Sequence, residues 1–247
     1  MNKVIAKIFL ECARAIEASE LITWVSTTDK EFSFQNWFAD RLKAIGLNFD
    51  EPSRNAYPDF RLVDYPVGFE IKGLGFPGRE ASYDCNSQVP SGRHNGREIY
   101  YVFGRYPAQT KEKAYPVYDL VMCHGDFLNA DHSYIHKNKN LKGFGSYGDI
   151  MIRDRKMYVA PTPYALTVGT ERQITFIAPD SFKDDTGLKQ FGSFARVESK
   201  KLIRGYSFDM LTHELKPTHV PNPSAGTKHL FRVFRSLKST GPTVILK

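Results

Sequence analysis

Cysteine is scarce in this chain of 247 residues, and its three cysteines lie far apart. Cys12, Cys85 and Cys123 form no CxxC pair and have no histidines at the spacing of a zinc site. Cys123 is followed by His124, which we interpret as the end of a strand. Free thiols are typical of a reducing compartment, so the sequence predicts a cytoplasmic protein.

Long apolar runs are also missing. No run approaches the roughly eighteen residues that cross a bilayer, and Lys7, Glu11 and Arg14 interrupt the first apolar stretch, so we expect no signal peptide. The sequence contains no internal repeat, coiled coil or low-complexity tract. We therefore expect one domain over residues 1–247, with a basic C-terminal subregion from about 198 to 247.

The composition that remains is that of a soluble globular protein with a positive charge. Hydrophobic residues make up 41% of the chain and charged residues 25%, with a net charge of +7. From Glu198 onward there are nine Lys or Arg residues against three acidic ones. This excess favours a polyanionic partner such as nucleic acid. A basic protein without such a partner is the alternative.

The segment from Tyr57 to Lys72 predicts a β-hairpin with one apolar side. A two-residue loop at Asp64-Tyr65 pairs residues whose numbers sum to 129. Phe60 then faces Phe69, and the residues that follow alternate between the two sides of the ribbon.

The other side of the same hairpin carries charge. Asp59 lies opposite Glu70, and Lys72 follows two residues later on the same face. Opposed carboxylates about 5 Å apart destabilise a bare sheet, but they suit a hard divalent ion, above all Mg²⁺. The ammonium of Lys72 can orient or help deprotonate an attacking water. The sequence therefore predicts a hydrolytic site, with an ordinary exposed Glu–Lys pair as the alternative.

Pro58-Asp59 and, eleven positions after Asp59, Glu70-x-Lys72 match the PD-(D/E)xK nuclease signature, and the chain resembles type II restriction endonucleases. Three further segments carry the resemblance: the helical run 32–43 before the motif, the loop Asn86-Ser-Gln-Val-Pro-Ser-Gly-Arg93 after it, and the strand 118–128. Tyr57 to Phe60 and the loop are most similar to the EcoRV and BglI branch. Together these segments cover roughly residues 30 to 130.

The resemblance implies a fold and a reaction. The fold would be α/β, with a mixed sheet flanked by helices and with Asp59, Glu70 and Lys72 on one sheet edge. Asp59 and Glu70 would hold Mg²⁺, and Lys72 would position or activate the water that attacks a phosphodiester of double-stranded DNA. A palindromic site would be read by a homodimer.

The periodicity of apolar residues predicts the other elements. A first helix is expected over residues 2–22 and a second from about Asp29 to Ala44, ending at Gly46. Short β-branched and aromatic runs predict strands at 99–103, 117–123, 150–152, 157–159 and 174–177.

Glu31 is a candidate third carboxylate from the second helix. The alternative is a capping box, because Thr28-x-x-Glu31 lets the glutamate bond backbone N–H groups at the helix start. Gln35, one turn later, and Glu20 are weaker candidates for the same site.

Basic and amide side chains in two regions are candidates for DNA contact. Arginine pairs with phosphate or guanine, and amides pair with adenine. In the long segment after the motif the candidates are Arg79, Asn86, Gln88, Arg93 and Arg97. In the C-terminal subregion they are Arg232 and Arg235, within a run of basic residues that is either a helix or a strand. A solvated loop and a solvated charged face are the alternatives.

Three functions are compatible with these residues. We expect a Mg²⁺-dependent, sequence-specific DNA endonuclease. The alternatives are another PD-(D/E)xK nuclease that acts in repair or on DNA structure, and a basic DNA-binding protein without catalysis.

Overall fold

A computed structural model of the chain describes residues 1–24, 30–50, 57–85, 88–131, 146–147, 150–154, 157–183, 187–209, 211–212 and 214–247. The helices are α1 (Asn2–Glu17), α2 (Lys30–Ala44), α3 (Gly125–Leu128) and α4 (Pro163–Leu166). The strands are β1 (Ile22–Thr23), β2 (Phe49–Asp50), β3 (Phe60–Leu62), β4 (Val67–Phe76), β5 (Ser82–Asp84), β6 (Arg93–His94), β7 (Arg97–Pro107), β8 (Ala114–Tyr115), β9 (Asp119–His124), β10 (Met151–Asp154), β11 (Met157–Pro161), β12 (Thr167–Val168), β13 (Ile174–Pro179), β14 (Leu188–Val197), β15 (Lys201–Asp209), β16 (Glu214–Pro221), β17 (Lys228–Ser236) and β18 (Ile245–Leu246).

A nine-stranded mixed sheet runs through the described part of the molecule. Its strand order is β14-β17-β13-β9-β7-β4-β3-β2, with β6 pairing to the start of β7. The β4–β7 and β9–β13 pairs are parallel, and the other pairs of this sheet are antiparallel. The predicted mixed α/β class is confirmed, and each of the five predicted strand segments overlaps an observed strand.

Both faces of the sheet are covered. On one face, α2 packs its apolar stripe against alternate residues of β4, and Phe38 of α2 lies 5.8 Å from Phe60 and 5.3 Å from Phe69 between ring centroids. Helix α1 joins the same core, where Phe9 lies 5.6 Å from Phe176 of β13. On the other face, a second core surrounds Tyr101 and Phe103 of β7. Because both faces are covered, a polar side chain in the middle of β4 is removed from solvent.

The two long helices follow the prediction with one shift at the end of α1. Helix α1 ends at Glu17, five residues before the predicted end, and the chain then enters β1. Helix α2 ends as expected: Gly46 adopts φ +73°, and the Leu47 N–H donates to the Leu42 carbonyl at 3.1 Å. Glycine adopts this left-handed conformation without a Cβ clash, which explains the stop.

The C-terminal basic run forms a strand. β17 lies inside the large sheet between β13 and β14, so the helical alternative for this run is excluded. Before it, β15 and β16 form a separate two-stranded ribbon. Among the helices described here, none is both long and apolar enough to cross a membrane.

Candidate active site

The predicted register of the hairpin is confirmed. Phe60 pairs with Phe69, and Arg61 pairs with Gly68. The apolar side chains Phe60 and Phe69 are buried against α2, 4% and 0% exposed. Glu70 and Lys72 therefore project from the opposite face of β4, as alternation along a strand requires.

Asp59 is fixed over β4 by its neighbours on both sides. A Cβ on Gly68 would lie 2.5 Å from Pro58 Cγ, so only glycine lets the Pro58-Asp59 segment pack this closely on the strand. Asp59 Oδ2 then accepts a 2.7 Å hydrogen bond from the Ile71 backbone N–H. The aspartate is thereby placed beside the Glu70–Lys72 segment.

Glu70 and Lys72 form a close and mostly buried ion pair. Lys72 Nζ lies 2.8 Å from Glu70 Oε1, and the two side chains are 10% and 13% exposed. The second carboxylate oxygen, Glu70 Oε2, is buried and has no hydrogen-bond partner in the described structure. A buried carboxylate oxygen without a donor is costly and suits a position that a cation can occupy.

Glu31 contacts the same ammonium group, that of Lys72. Its Oε1 is 3.5 Å from Lys72 Nζ, and its side chain is 41% exposed. A Cβ on Gly73 would lie 3.3 Å from Glu31 Cα, so this glycine gives the start of α2 room beside β4. Glu31 thus joins the predicted residues, while Thr28 of the alternative capping box lies outside the described residues.

Glu20 and Gln35, the two other candidates for this site, have different surroundings from Glu31. Glu20 binds Arg14 at 2.7 Å and also pairs with Arg41, so it serves the packing of α1 against α2. Gln35 is half-buried on α2.

The pKa values of Asp59 and Lys72 show how the charges act on each other. Burial, and then the charge of Glu70, raise the pKa of Asp59 to about 8, although Lys72 and the Ile71 N–H act in the opposite direction. Burial alone would lower the pKa of Lys72, but Glu70, Glu31 and Asp59 outweigh it and raise that pKa. The group carries more negative charge than its single ammonium balances.

Asp59 and Glu70 are the two carboxylates of this group that could hold a magnesium ion. Within the described ranges, no cluster of three or more His, Cys, Asp or Glu side chains has metal-ligand geometry. Mg²⁺ is commonly held by one or two carboxylates, with water and substrate phosphate completing its shell. The unpartnered Glu70 Oε2 and the raised Asp59 pKa are the features that a cation would relieve.

A cavity of about 130 Å³ opens beside Lys72. Its lining includes Glu31, Lys72, Gly73, Arg79, Ser82 and Asp84. Arg79 is 67% exposed and pairs loosely with Asp84 at 3.5 Å. Of the predicted DNA-binding residues, Arg79 is thus placed directly next to the catalytic candidates.

The other loop candidates are spread out. Gln88 is half-buried and donates to the Val89 carbonyl at 3.0 Å, whereas Arg93 is exposed on β6. Arg97 donates to the carbonyls of Leu62 at 2.8 Å and Tyr65 at 3.0 Å. These bonds hold one guanidinium nitrogen of Arg97, Nη1, against the β3–β4 turn.

Asn86, the remaining loop candidate, lies outside the described residues.

The two C-terminal arginines also serve the fold. Arg235 is 0% exposed and donates to the carbonyls of Pro242 at 2.9 Å and Gly169 at 2.5 Å. This corrects its predicted DNA contact, because a fully buried guanidinium cannot reach a phosphate. Arg232 donates to the carbonyl of Asp180 at 2.7 Å and pairs with its carboxylate at 3.3 Å.

His124 has the structural role that its position after a strand indicates. It is the N-cap of α3, and its ring Nδ1 accepts from the Asp126 N–H at 3.2 Å. Cys12, Cys85 and Cys123 are free, as the sequence predicted, and all three are buried.

Sequence reasoning missed Tyr57, Tyr101 and Arg61 as neighbours of the site. The Tyr57 and Tyr101 hydroxyls are 2.8 Å apart, and Tyr101 is the register partner of Glu70 on β7. Arg61 Nη2 donates to the Tyr57 carbonyl at 3.3 Å. The hairpin register, extended to Arg61, would have predicted that this residue lies on the same face as Glu70.

No protein-family model matches the chain, and a search of curated proteins finds no match to it.

Proposed function

We propose that the chain is a Mg²⁺-dependent endonuclease that cleaves double-stranded DNA at specific sequences, in the manner of a type II restriction enzyme. The observation that supports this most is the buried group of Asp59, Glu70 and Lys72 on one face of a mixed α/β sheet. Its spacing in the sequence is that of the PD-(D/E)xK signature, and its geometry leaves a carboxylate oxygen for a cation.

In this proposal Asp59 and Glu70 would hold Mg²⁺, which would supply Lewis-acid stabilisation of charge at the phosphate. The Ile71 N–H keeps Asp59 in place, since it occupies one carboxylate oxygen at 2.7 Å. Burial between two covered faces of the sheet excludes bulk water, which strengthens each electrostatic contact.

Lys72 can change its role with the charge around it. Glu70 and Glu31 keep its Nζ protonated even though burial favours the neutral amine, and Asp59 adds to their effect when it is ionised. A cation on those carboxylates would offset part of the charge that raises the Lys72 pKa, and burial would then favour the neutral amine. In that state Nζ would accept a proton from the attacking water and return it to solvent after cleavage.

The proposed function also implies a fold family, an oligomeric state and a cellular compartment. A restriction-endonuclease-like core, a homodimer on a palindromic site, and a cytoplasmic location all follow from this function. The net charge of +7 supports a polyanionic substrate.

The test is digestion of plasmid and phage DNA with Mg²⁺, followed by sequencing of the fragment ends. Discrete ends that share a sequence are expected. Nicking confined to junctions or mismatches would favour a repair or structure-specific nuclease. Binding without cleavage at every Mg²⁺ concentration would favour a non-catalytic DNA-binding protein. A Glu70→Gln preparation purified in parallel controls for contaminating nucleases.

A further inference from the structure

The turn between β6 and β7 forms a tight, exposed tip. Asn95 and Gly96 connect Arg93–His94 to β7, and both have positive φ, +48° and +76°. Two left-handed residues in a two-residue loop define a type I′ hairpin, which fits the twist of the flanking strands. The exposed Asn95 side chain is therefore carried on a rigid support.

This tip shares a face of the sheet with the carboxylates. His94 pairs with Arg97, four residues before Tyr101, and Tyr101 pairs with Glu70. Residues at even separations along a strand share a face, so His94 and Glu70 point to the same side. The Tyr57 ring lies between them, 4.8 Å from His94, with its hydroxyl 2.8 Å from that of Tyr101.

The His94 ring orients the Asn95 amide. Asn95 Nδ2 and His94 Nε2 are 3.0 Å apart. Burial, followed by the charge of Arg61, lowers the pKa of His94, so its ring is neutral near pH 7 and Nε2 can accept. The amide keeps its Oδ1 acceptor and a second N–H donor, and this is the pair of groups that matches N6 and N7 of adenine in the major groove.

Arg61 lies between the tip and the site. It pairs with Gly68, two residues before Glu70, which puts it on the same face. One guanidinium nitrogen donates to the Tyr57 carbonyl at 3.3 Å, and the side chain is half-buried. A guanidinium fixed in this way suits a phosphate.

We propose that Asn95, oriented by His94, reads an adenine in the major groove, and that Arg61 binds a backbone phosphate between that base and the scissile bond. The inference rests on the part of the proposed function that makes double-stranded DNA the substrate. Four residues of strand span about 13 Å. With the duplex axis along β7, the proposal places the adenine about four base-pair steps of 3.4 Å from the cut.

Binding selection from randomised duplexes, with Ca²⁺ in place of Mg²⁺, tests this without requiring cleavage. The wild-type protein should enrich an adenine that Asn95→Ala no longer enriches, with a loss of affinity of about 10- to 100-fold for the wild-type sequence. Replacement of that adenine by 7-deazaadenine, which lacks N7, should weaken wild-type binding and leave the Asn95→Ala variant unaffected. His94→Gln, which keeps an acceptor, should retain the adenine preference that His94→Ala loses.

Arg61→Ala and a matched control separate phosphate contact from base contact. Arg61→Ala should weaken all sequences about equally and reduce the slope of log affinity against log salt by about 1. Lys189→Ala removes the same charge from β14, at the opposite edge of the sheet from β2 and β3, and should change neither quantity.

The other outcomes of these experiments separate the inference about Asn95 from the proposed nuclease activity. An unchanged selected sequence for Asn95→Ala, or wild-type binding that is insensitive to 7-deazaadenine, overturns the inference. Adenine-specific binding by a wild-type protein that never cleaves with Mg²⁺ would support the inference and contradict the proposed nuclease activity. Absence of any DNA binding by the wild-type protein would contradict both the inference and the proposed function.

Discussion

Asp59 Oδ2 accepts a 2.7 Å hydrogen bond from the backbone N–H of Ile71, the residue between Glu70 and Lys72. This bond joins the two halves of the sequence motif, which are eleven residues apart along the chain. Because it involves the backbone, it positions Asp59 whatever the charge state of Glu70 and Lys72. The arrangement of the site is therefore a property of the hairpin, and its chemistry can be changed one side chain at a time.

Changes that remove a charge at the motif should abolish cleavage and spare binding. Asp59→Asn and Glu70→Gln remove a negative charge at the proposed cation position, and Lys72→Ala removes the ammonium. We expect each to lower the cleavage rate at least about 10²-fold, with specific DNA binding in Ca²⁺ largely unchanged.

Asp64→Asn is the matched control, because Asp64 is an exposed carboxylate in the turn of the same hairpin. It should cleave as the wild-type protein does. Normal cleavage by Lys72→Ala would show that the motif is misassigned.

Cleavage should depend on the divalent ion. Mg²⁺ or Mn²⁺ should support it and EDTA should stop it, since both proposed ligands are carboxylates. Ca²⁺ should permit binding with little turnover, because its larger and looser shell positions the attacking water poorly. Gel assays of one DNA substrate with each ion check this, and full activity in EDTA would contradict the proposed site.

The register of the catalytic hairpin could be predicted because it depends on local pattern. A slip of one residue would turn Phe60 and Phe69 out of the core and bring their charged neighbours in. The same alternation along the strand puts Glu70 and Lys72 on one face. The burial of that face could not be predicted, because the core around Tyr101 and Phe103 includes residues that follow β4 by up to about 170 positions.

The contacts of the arginines could not be predicted, because they involve residues far away in the sequence. Arg97 binds the carbonyl of Leu62, 35 residues away, and Arg235 binds that of Gly169, 66 residues away. A basic side chain carries no local signal of whether it will meet a carbonyl or a phosphate oxygen. Charge patterns thus predicted a polyanionic partner for the whole chain but could not assign the individual residues.

Arg79 and Arg235 should therefore respond differently to truncation. Arg79→Ala removes an exposed charge at the cavity beside Lys72 and should weaken binding to all DNA sequences, with a salt slope smaller by about 1. Arg235→Ala leaves buried carbonyls without a donor and should destabilise the fold by about 3 kcal/mol.

Salt titrations of DNA binding and urea unfolding of both variants check these expectations. A stable Arg235→Ala protein with a reduced salt slope would show that this residue reaches DNA after all. An unchanged slope for Arg79→Ala would move phosphate binding away from the cavity.

The raised pKa of Asp59 makes stability depend on pH in a definite direction. Its carboxyl has a pKa of about 8 in the folded protein, because of burial and then Glu70, against about 3.9 when unfolded. The folded state therefore holds this proton more tightly. The stability that this contributes is complete below about pH 4 and is lost as the pH rises through about 8.

Relative to Asp59→Asn, which cannot ionise, the wild-type protein should lose on the order of 2–5 kcal/mol between about pH 5 and about pH 9. Urea unfolding of both proteins in EDTA measures the difference, with Asp64→Asn as the exposed control. Mg²⁺ should restore the loss at high pH, because it binds the ionised carboxylates and stabilises the folded state. Parallel pH profiles for the wild-type and Asp59→Asn proteins would show that Asp59 titrates normally, and would remove the electrostatic argument for a cation at this position.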